Sequence, residues 1–391
     1  MCRRLLMRIL HISGGNLYGG VETILVTLAR YRQVLPALEP EFALCFEARL
    51  SAELAATGAP VHLLGEVRTR RPLTVGRARR KLRGLLRERR IDVAVCHMPW
   101  SQAIFGPAAR DAGIPLVFWM HGAARGRHWL EFWARLTPPD LAICVSRFTS
   151  TTLAHLYRNS PFEVVYAPLP PPAAGLSASE RAAVRAELDT PSNATLIVQA
   201  ARMEYLKGQG FLLEALGQLR GLPGWVCWLA GGAQRARERR YMVTLERAAS
   251  KLGIAGRVRF LGERSDVSRI LRAADICCHP NMGPEGFPLA FVEAFGAGIP
   301  VISTAIGPAT EIIDESCGVL VKPGDVQALA GALRRLIEEP GERTRLGAAG
   351  PERARELCDP SMQTLKLGQA LEALWARSGG ANSRQKFRVS V

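Results

Sequence analysis

Two glutamates eight positions apart, Glu285 and Glu293, stand in the run PNMGPEGFPLAFVEAFGAGIP at 280–300. A carboxylate is a poor phosphate ligand and a good acceptor for sugar hydroxyls. Pro288 fits the first position of a helix, where its missing N–H costs nothing. Glu293 then lies about one turn inside that helix, and the helix N-terminus can hold a phosphate between the two carboxylates. A second candidate is AARMEYLKG at 200–208, where Arg202 and Lys207 could converge on a diphosphate, one as a planar fork and the other as a point charge. A third is SGGNLYGGVE at 13–22, whose glycines let backbone approach an anion at a helix start. Each also has a plain structural reading: two glutamates eight apart by chance, surface cations on a loop, and a tight turn with Glu22 as an ordinary first-turn acid.

Positioning such residues requires strands that end in loops. Short β-branched or aliphatic runs alternate with helical patterns along the chain, which predicts parallel sheets covered by helices on both faces. The expected strands are Met7–Ser13, Glu41–Phe46, Val61–Leu64, Asp92–His97, Pro115–Met120, Leu141–Val145 and Glu163–Tyr166, then Thr195–Ala200, Val226–Ala230, Val258–Leu261, Asp275–Cys278, Val301–Ser303 and Val319–Val321. The proline-rich stretch Ala167–Ser179 separates the two sets and reads as a linker. Two Rossmann-like doubly wound domains follow, 1–170 and 171–378, with a last helix near 360–377 free to return to the first domain and a loose tail at 379–391. In such sheets ligands lie beyond the carboxyl ends of the strands, which places the expected site in a cleft between the domains.

At 391 residues, 48% hydrophobic, the chain can bury two cores. No run of about 18 apolar residues offers a spanning helix, and Leu5-Leu6-Met7 is too short for a signal-peptide core, so a cytoplasmic location is expected. Nine scattered cysteines read as reduced core thiols, and the adjacent Cys277-Cys278 lacks metal-ligand spacing. The net charge of +16 comes mostly from 45 Arg, a compositional bias. Residues 68–90 hold eleven basic residues and one acidic. There Val75, Ala78, Leu82 and Leu85/Leu86 recur at helical spacing, predicting an amphipathic helix with Arg outward. Its face is either a solvated surface or a surface that attracts anionic lipid or an acidic acceptor. No aromatics interleave the basic run, which argues against nucleic acid.

The same residues resemble the retaining glycosyltransferases of family 4, of the GT-B fold. The likeness covers nearly the whole chain: the E-x7-E motif at Glu285 and Glu293, Gly19-Gly20, His121-Gly122 after a strand, Arg202 with Lys207-Gly208, Phe260-Leu-Gly262, Gly298-Ile-Pro300 and Gly318 through Asp325. Ala201, Pro308 and Ala167-Pro168 depart from the usual pattern. By this resemblance Arg202 and Lys207 bind the diphosphate of a nucleotide-sugar, Glu293 the ribose, and Glu285 the transferred sugar, beside His121. Gly19 and Gly20 border the phosphates, and Gly286, Phe287 and Leu289 complete the donor-binding set. The implied reaction moves a sugar with retention to a lipid-linked or envelope-glycan acceptor, with no metal or other cofactor, and the basic segment suits the cytoplasmic face of a membrane. The alternatives are a GT-B epimerase or phosphorylase, or a silent membrane-docking relative. His11, His97 and His279 read as core histidines, and Trp100, Trp119, Trp129 and Trp133 as core or cleft lining.

Overall fold

The computed structural model describes residues 6–16, 18–170 and 176–379. Leu17 of the glycine run, the middle of the linker and the tail from 380 onward lie outside the described residues, as does Cys2. The other eight cysteines are buried and unbridged.

The chain divides into two compact units. One runs to Pro170 and resumes at Cys358; the other lies between and ends at Leu357. The first unit holds β1 (Met7–Ser13), β2 (Leu38–Leu44), β3 (Val61–Leu63), β4 (Val93–His97), β5 (Leu116–Met120), β6 (Leu141–Cys144) and β7 (Phe162–Val164), in the order β3-β2-β1-β4-β5-β6-β7. The second holds β8 (Thr195–Ala200), β9 (Trp225–Ala230), β10 (Val258–Gly262), β11 (Ile276–His279), β12 (Val301–Thr304) and β13 (Gly318–Val321), in the order β10-β9-β8-β11-β12-β13. Every pairing is parallel. Both sheets therefore reverse their winding once, at β1/β4 and at β8/β11. At such a reversal the loops leave to opposite faces and open a crevice at the strand ends.

Each expected strand is present, and the shifted bounds have local causes. β2 starts at Leu38, ahead of the expected Glu41, although it contains Pro40. Proline is tolerated there because β3 pairs only from Phe42 onward, so no neighbour on that side asks for the missing N–H. β7 ends at Val164; the Val165 N–H still donates to the Cys144 carbonyl, and the Tyr166 N–H, facing away from β6, donates to the Gln363 side chain at 3.0 Å. The helix at the linker's end begins at Ala178, one residue before the expected linker boundary. Ser177 caps it, accepting from the Glu180 N–H while the Glu180 carboxylate accepts from the Ser177 N–H.

The amphipathic segment forms a helix over Pro72–Glu88, and its Val75, Ala78, Leu82 and Leu86 enter the core with Leu10, Ile12, Ala94 and Phe105. The final helix, Pro360–Arg377, packs on the first unit, where Gly368 meets Leu35 and Leu38. In the second unit the core gathers Ile197, Cys227, Leu229, Ile276 and Cys278 beneath the helices Gln209–Gln218 and Val326–Glu338. These apolar strand interiors fix the strand ends, and the chemistry sits on the ends.

Candidate functional site

The loops after β8 and β11 meet at the reversal point of the second sheet. Gly208 allows the contact. Its φ is +74°, and a Cβ there would stand 1.8 Å from the Pro280 carbonyl oxygen, so no other residue fits without moving the loop. The Met282 N–H donates to the Leu206 carbonyl at 2.9 Å, and the Gln199 amide on β8 donates to the Lys207 carbonyl at 2.6 Å. Lys207 is thereby held from two sides.

Its ammonium lies 2.6 Å from Glu285 Oε2, and His279 Nε2, at the end of β11, lies 3.5 Å from Glu285 Oε1. Burial alone would raise the Glu285 pKa, but the Lys207 charge and the His279 ring outweigh it and hold the carboxyl at about 2. Glu285 is thus ionised at neutral pH, and among the described residues Oε1 has no hydrogen-bond partner of normal length. His279, expected in the core, is buried there yet belongs to this cluster, with its ring edge-on to Phe291. Its position as the last residue of a strand was the overlooked signal.

The following helix spans Leu289–Gly296. Pro288, expected as the first helical residue, is instead its N-cap, because its ψ of 98° is not helical, and the helix starts one position later. Gly286 and Phe287 are buried in the turn before it, and Leu289 opens the helix half-buried. Glu293 lies in the second turn, and its side chain has no ion pair or hydrogen bond among the described residues. Burial pushes its pKa up.

Arg202 follows β8 on the same loop as Lys207 but has its own partners, Glu204 at 3.0 Å and the buried Glu238 at 3.8 Å. Its carbonyl accepts from the Gln209 amide at 2.8 Å. The second unit therefore brings Lys207, Glu285 and His279 into contact and holds Arg202 on a separate acidic pair.

In the first unit Gly19 caps the helix Gly20–Arg30 in extended conformation, with Glu22 in its first turn. A Cβ at Gly19 would meet nothing closer than Glu22 Oε2 at 3.8 Å, so the fold itself does not require glycine there. His121 directly follows β5. Its Nε2 is 2.8 Å from His97 Nδ1, and Trp119 stacks on it with ring centroids 5.3 Å apart. His97, expected as a core histidine, is buried and also bonded to a candidate site residue.

The basic segment is less uniformly outward than its sequence suggests. Arg79 turns in, donating to the carbonyls of Ile104 and Ala103, and Arg89 pairs with the fully buried Glu41. Burial would raise the Glu41 pKa, but hydrogen bonds from Arg89 and His62 bring it down. Arg68 pairs with Glu66 and Arg83 with Asp111. Arg70, Arg71, Arg77, Arg80, Lys81, Arg87 and Arg90 remain exposed.

Among the described residues no helix is long and apolar enough to cross a membrane.

Residues 18–171 match the family described as Glycosyltransferase Family 4, and residues 180–353 the family described as Glycosyl transferases group 1. The chain is 34% identical over 171 residues to the lipopolysaccharide core biosynthesis glycosyltransferase LpsE of Rhizobium meliloti, covering 43% of this chain and 47% of that protein. It is 29% identical to the D-inositol 3-phosphate glycosyltransferase of a Nocardioides species, covering 68% of this chain and 63% of that one. The chain thus spans about half the length of the first relative and under two thirds of the second. Among solved structures, Anabaena Alr3699/HepE in complex with UDP-glucose superposes with a TM-score of 0.83 at 23% identity, covering 94% of this chain and 100% of that chain. The sucrose-phosphate synthase of Thermosynechococcus elongatus gives 0.75 at 20% identity, covering 95% and 100%.

Proposed function

On the premise that the chain has the GT-B fold and joins a Glycosyltransferase Family 4 domain to a Glycosyl transferases group 1 domain, we propose that it transfers a sugar from a nucleotide diphosphate sugar to a glycan or lipid-linked acceptor, with retention at the anomeric carbon. The observation that carries this reading is the Lys207–Glu285–His279 cluster at the foot of the Leu289–Gly296 helix.

The chemistry follows from charge. As the bond between sugar and diphosphate breaks, negative charge grows on the leaving phosphate, and fixed cations with oriented N–H groups stabilise it. Lys207, Arg202 and the first turn at Leu289 serve that role, with Gly286 and Phe287 shaping the approach. An incoming diphosphate competes with Glu285 for Lys207 and frees the carboxylate to accept from sugar hydroxyls. Glu293, a carboxylate without a partner among the described residues, suits the ribose hydroxyls. From the first unit, His121 is assigned to the transferred sugar, and Gly19, a glycine the fold does not demand, to backbone contact with phosphate beside Gly20. Charge stabilisation is supplied by side chains, so the reaction needs no metal or other cofactor. The exposed arginines of the Pro72–Glu88 helix suit a peripheral seat on the cytoplasmic face of an anionic membrane, each basic residue near such a surface contributing about 1 kcal/mol.

The test is a panel of nucleotide diphosphate sugars scored by thermal stabilisation, followed by release of free nucleotide with and without acceptor. One donor class should raise Tm, since it binds only the folded state, and nucleotide release should require acceptor. A panel in which no nucleotide sugar binds, or release that ignores the acceptor, overturns the reading.

A further inference from the structure

Three histidines from different strands of the first unit form one hydrogen-bonded line. His11 lies within β1, His97 ends β4 and His121 follows β5. His11 Nδ1 is 3.0 Å from His97 Nε2, and His97 Nδ1 is 2.8 Å from His121 Nε2. The rings are braced: His11 stacks on Phe42, while Trp119 stacks on both His97 and His121. His11 and His97 are almost wholly buried.

The two ends differ. At one end His121 Nδ1 is buried with no hydrogen-bond partner among the described residues. At the other, His11 lines a cavity of about 30 Å³ with Arg32 and Thr364, whose buried hydroxyl also has no partner among the described residues. That volume has room for a single water molecule.

Burial keeps the rings neutral, holding His11 and His121 down at about 3 and His97 well below its ordinary value. A neutral imidazole has one N–H and one lone pair, and each link of the line needs one of each. Both links join the Nδ1 of one ring to the Nε2 of the next. If His97 carries its proton on Nδ1, it donates to His121 Nε2, which leaves the His121 proton on Nδ1. His97 Nε2 then accepts, so His11 also carries its proton on Nδ1. The opposite choice puts all three protons on Nε2. No mixed arrangement satisfies both links, and an unmet buried group costs about 1–3 kcal/mol.

We propose that His11, His97 and His121 form a single tautomeric unit in which His11 and His97 act as positioning residues, fixing which hydrogen-bonding character His121 Nδ1 offers to a ligand hydroxyl. The hydroxyl's identity as that of a sugar rests on the function proposed above; the common tautomer does not. In one state of the line His121 Nδ1 donates and in the other it accepts. Each of the three rings carries one proton in either state, so the two states differ only in which nitrogen of each ring holds it.

The experiment is ring-nitrogen NMR of histidine-labelled protein at neutral pH, without ligand. The three rings should be neutral and share one tautomer. An imidazolium among them, or two different tautomers, overturns the proposal whatever the enzyme's activity. In His97→Phe, which keeps a ring against Trp119 and removes both links, His121 should become a mixture of tautomers. Turnover should fall about tenfold, the worth of one hydrogen bond, with donor KM within about twofold. Where that variant does not fold, His97→Leu, which also removes both links, takes its place. A variant that turns over normally while its His121 is mixed removes the line from the site, yet leaves the proposed glycosyl transfer standing.

Discussion

The Lys207 ammonium and the Glu285 carboxylate, carried by loops that follow different strands, lie 2.6 Å apart at the reversal point of the second sheet. Each is mostly shielded from water, with about a fifth of either side chain exposed. The pair keeps a cation and a hydroxyl acceptor ready in the absence of ligand.

The pair fixes a pH dependence. The Glu285 pKa is depressed to about 2, so its contribution to stability is present above the unfolded-state value near 4.5 and is lost as pH falls towards 2. Urea unfolding of the parent and of Glu285→Gln from pH 6 to pH 2.5 should show the parent more stable at pH 6 and the gap closing with acid. A gap that does not change over this range would show that the carboxylate is not held by its neighbours.

Lys207→Ala and Arg202→Ala should each lower turnover at least ~100-fold in protein that remains folded by circular dichroism, since each removes a cation from the leaving diphosphate. Near-normal turnover in either variant takes that residue out of the diphosphate site.

Glu293 sets stability against binding. Burial raises its pKa, so ionisation opposes folding, and the loss grows as pH rises through the unfolded-state value. Glu293→Gln should therefore melt higher than the parent at pH 7, with the difference shrinking towards pH 4, and should bind the nucleotide sugar more weakly. Unchanged donor affinity would sink the assignment to the ribose.

Activity should survive EDTA, because the reading assigns charge stabilisation to Lys207, Arg202 and backbone N–H groups. Loss on chelation and recovery with Mg²⁺ or Mn²⁺ would overturn it.

For the basic helix, the residues to change are those that remain outward. Arg77, Arg80, Lys81 and Arg87 replaced together by Gln should weaken co-sedimentation with anionic liposomes, and salt should weaken it in the parent, as charges are screened over ~8 to 10 Å. Donor binding should not change. Undiminished sedimentation of the quadruple variant would make this helix a solvated surface. Arg79 is a poor choice for this test, because it anchors the helix to the carbonyls of Ile104 and Ala103.

What the sequence determined by itself is what neighbours along the chain encode. Aliphatic runs such as Leu196–Val198 and Val93–Cys96 announce strands, and Val75, Ala78, Leu82 and Leu86 announce the buried stripe of a helix, because side-chain direction repeats with the local backbone period. Placing Arg202, Lys207 and Glu285 in loops at strand ends was legible for the same reason. Their partners were not. Lys207 reaches Glu285 only because β8 lies beside β11 in the sheet, His97 reaches both His11 and His121 because β4 lies between β1 and β5, and Arg79 turns inward because the backbone carbonyls of the next helix are close enough to bond it. Strand order and register are set by the packing of whole layers. Residues distant in sequence become neighbours through that packing, so no window along the chain contains the information, and only the tertiary structure decided which charges and rings would meet.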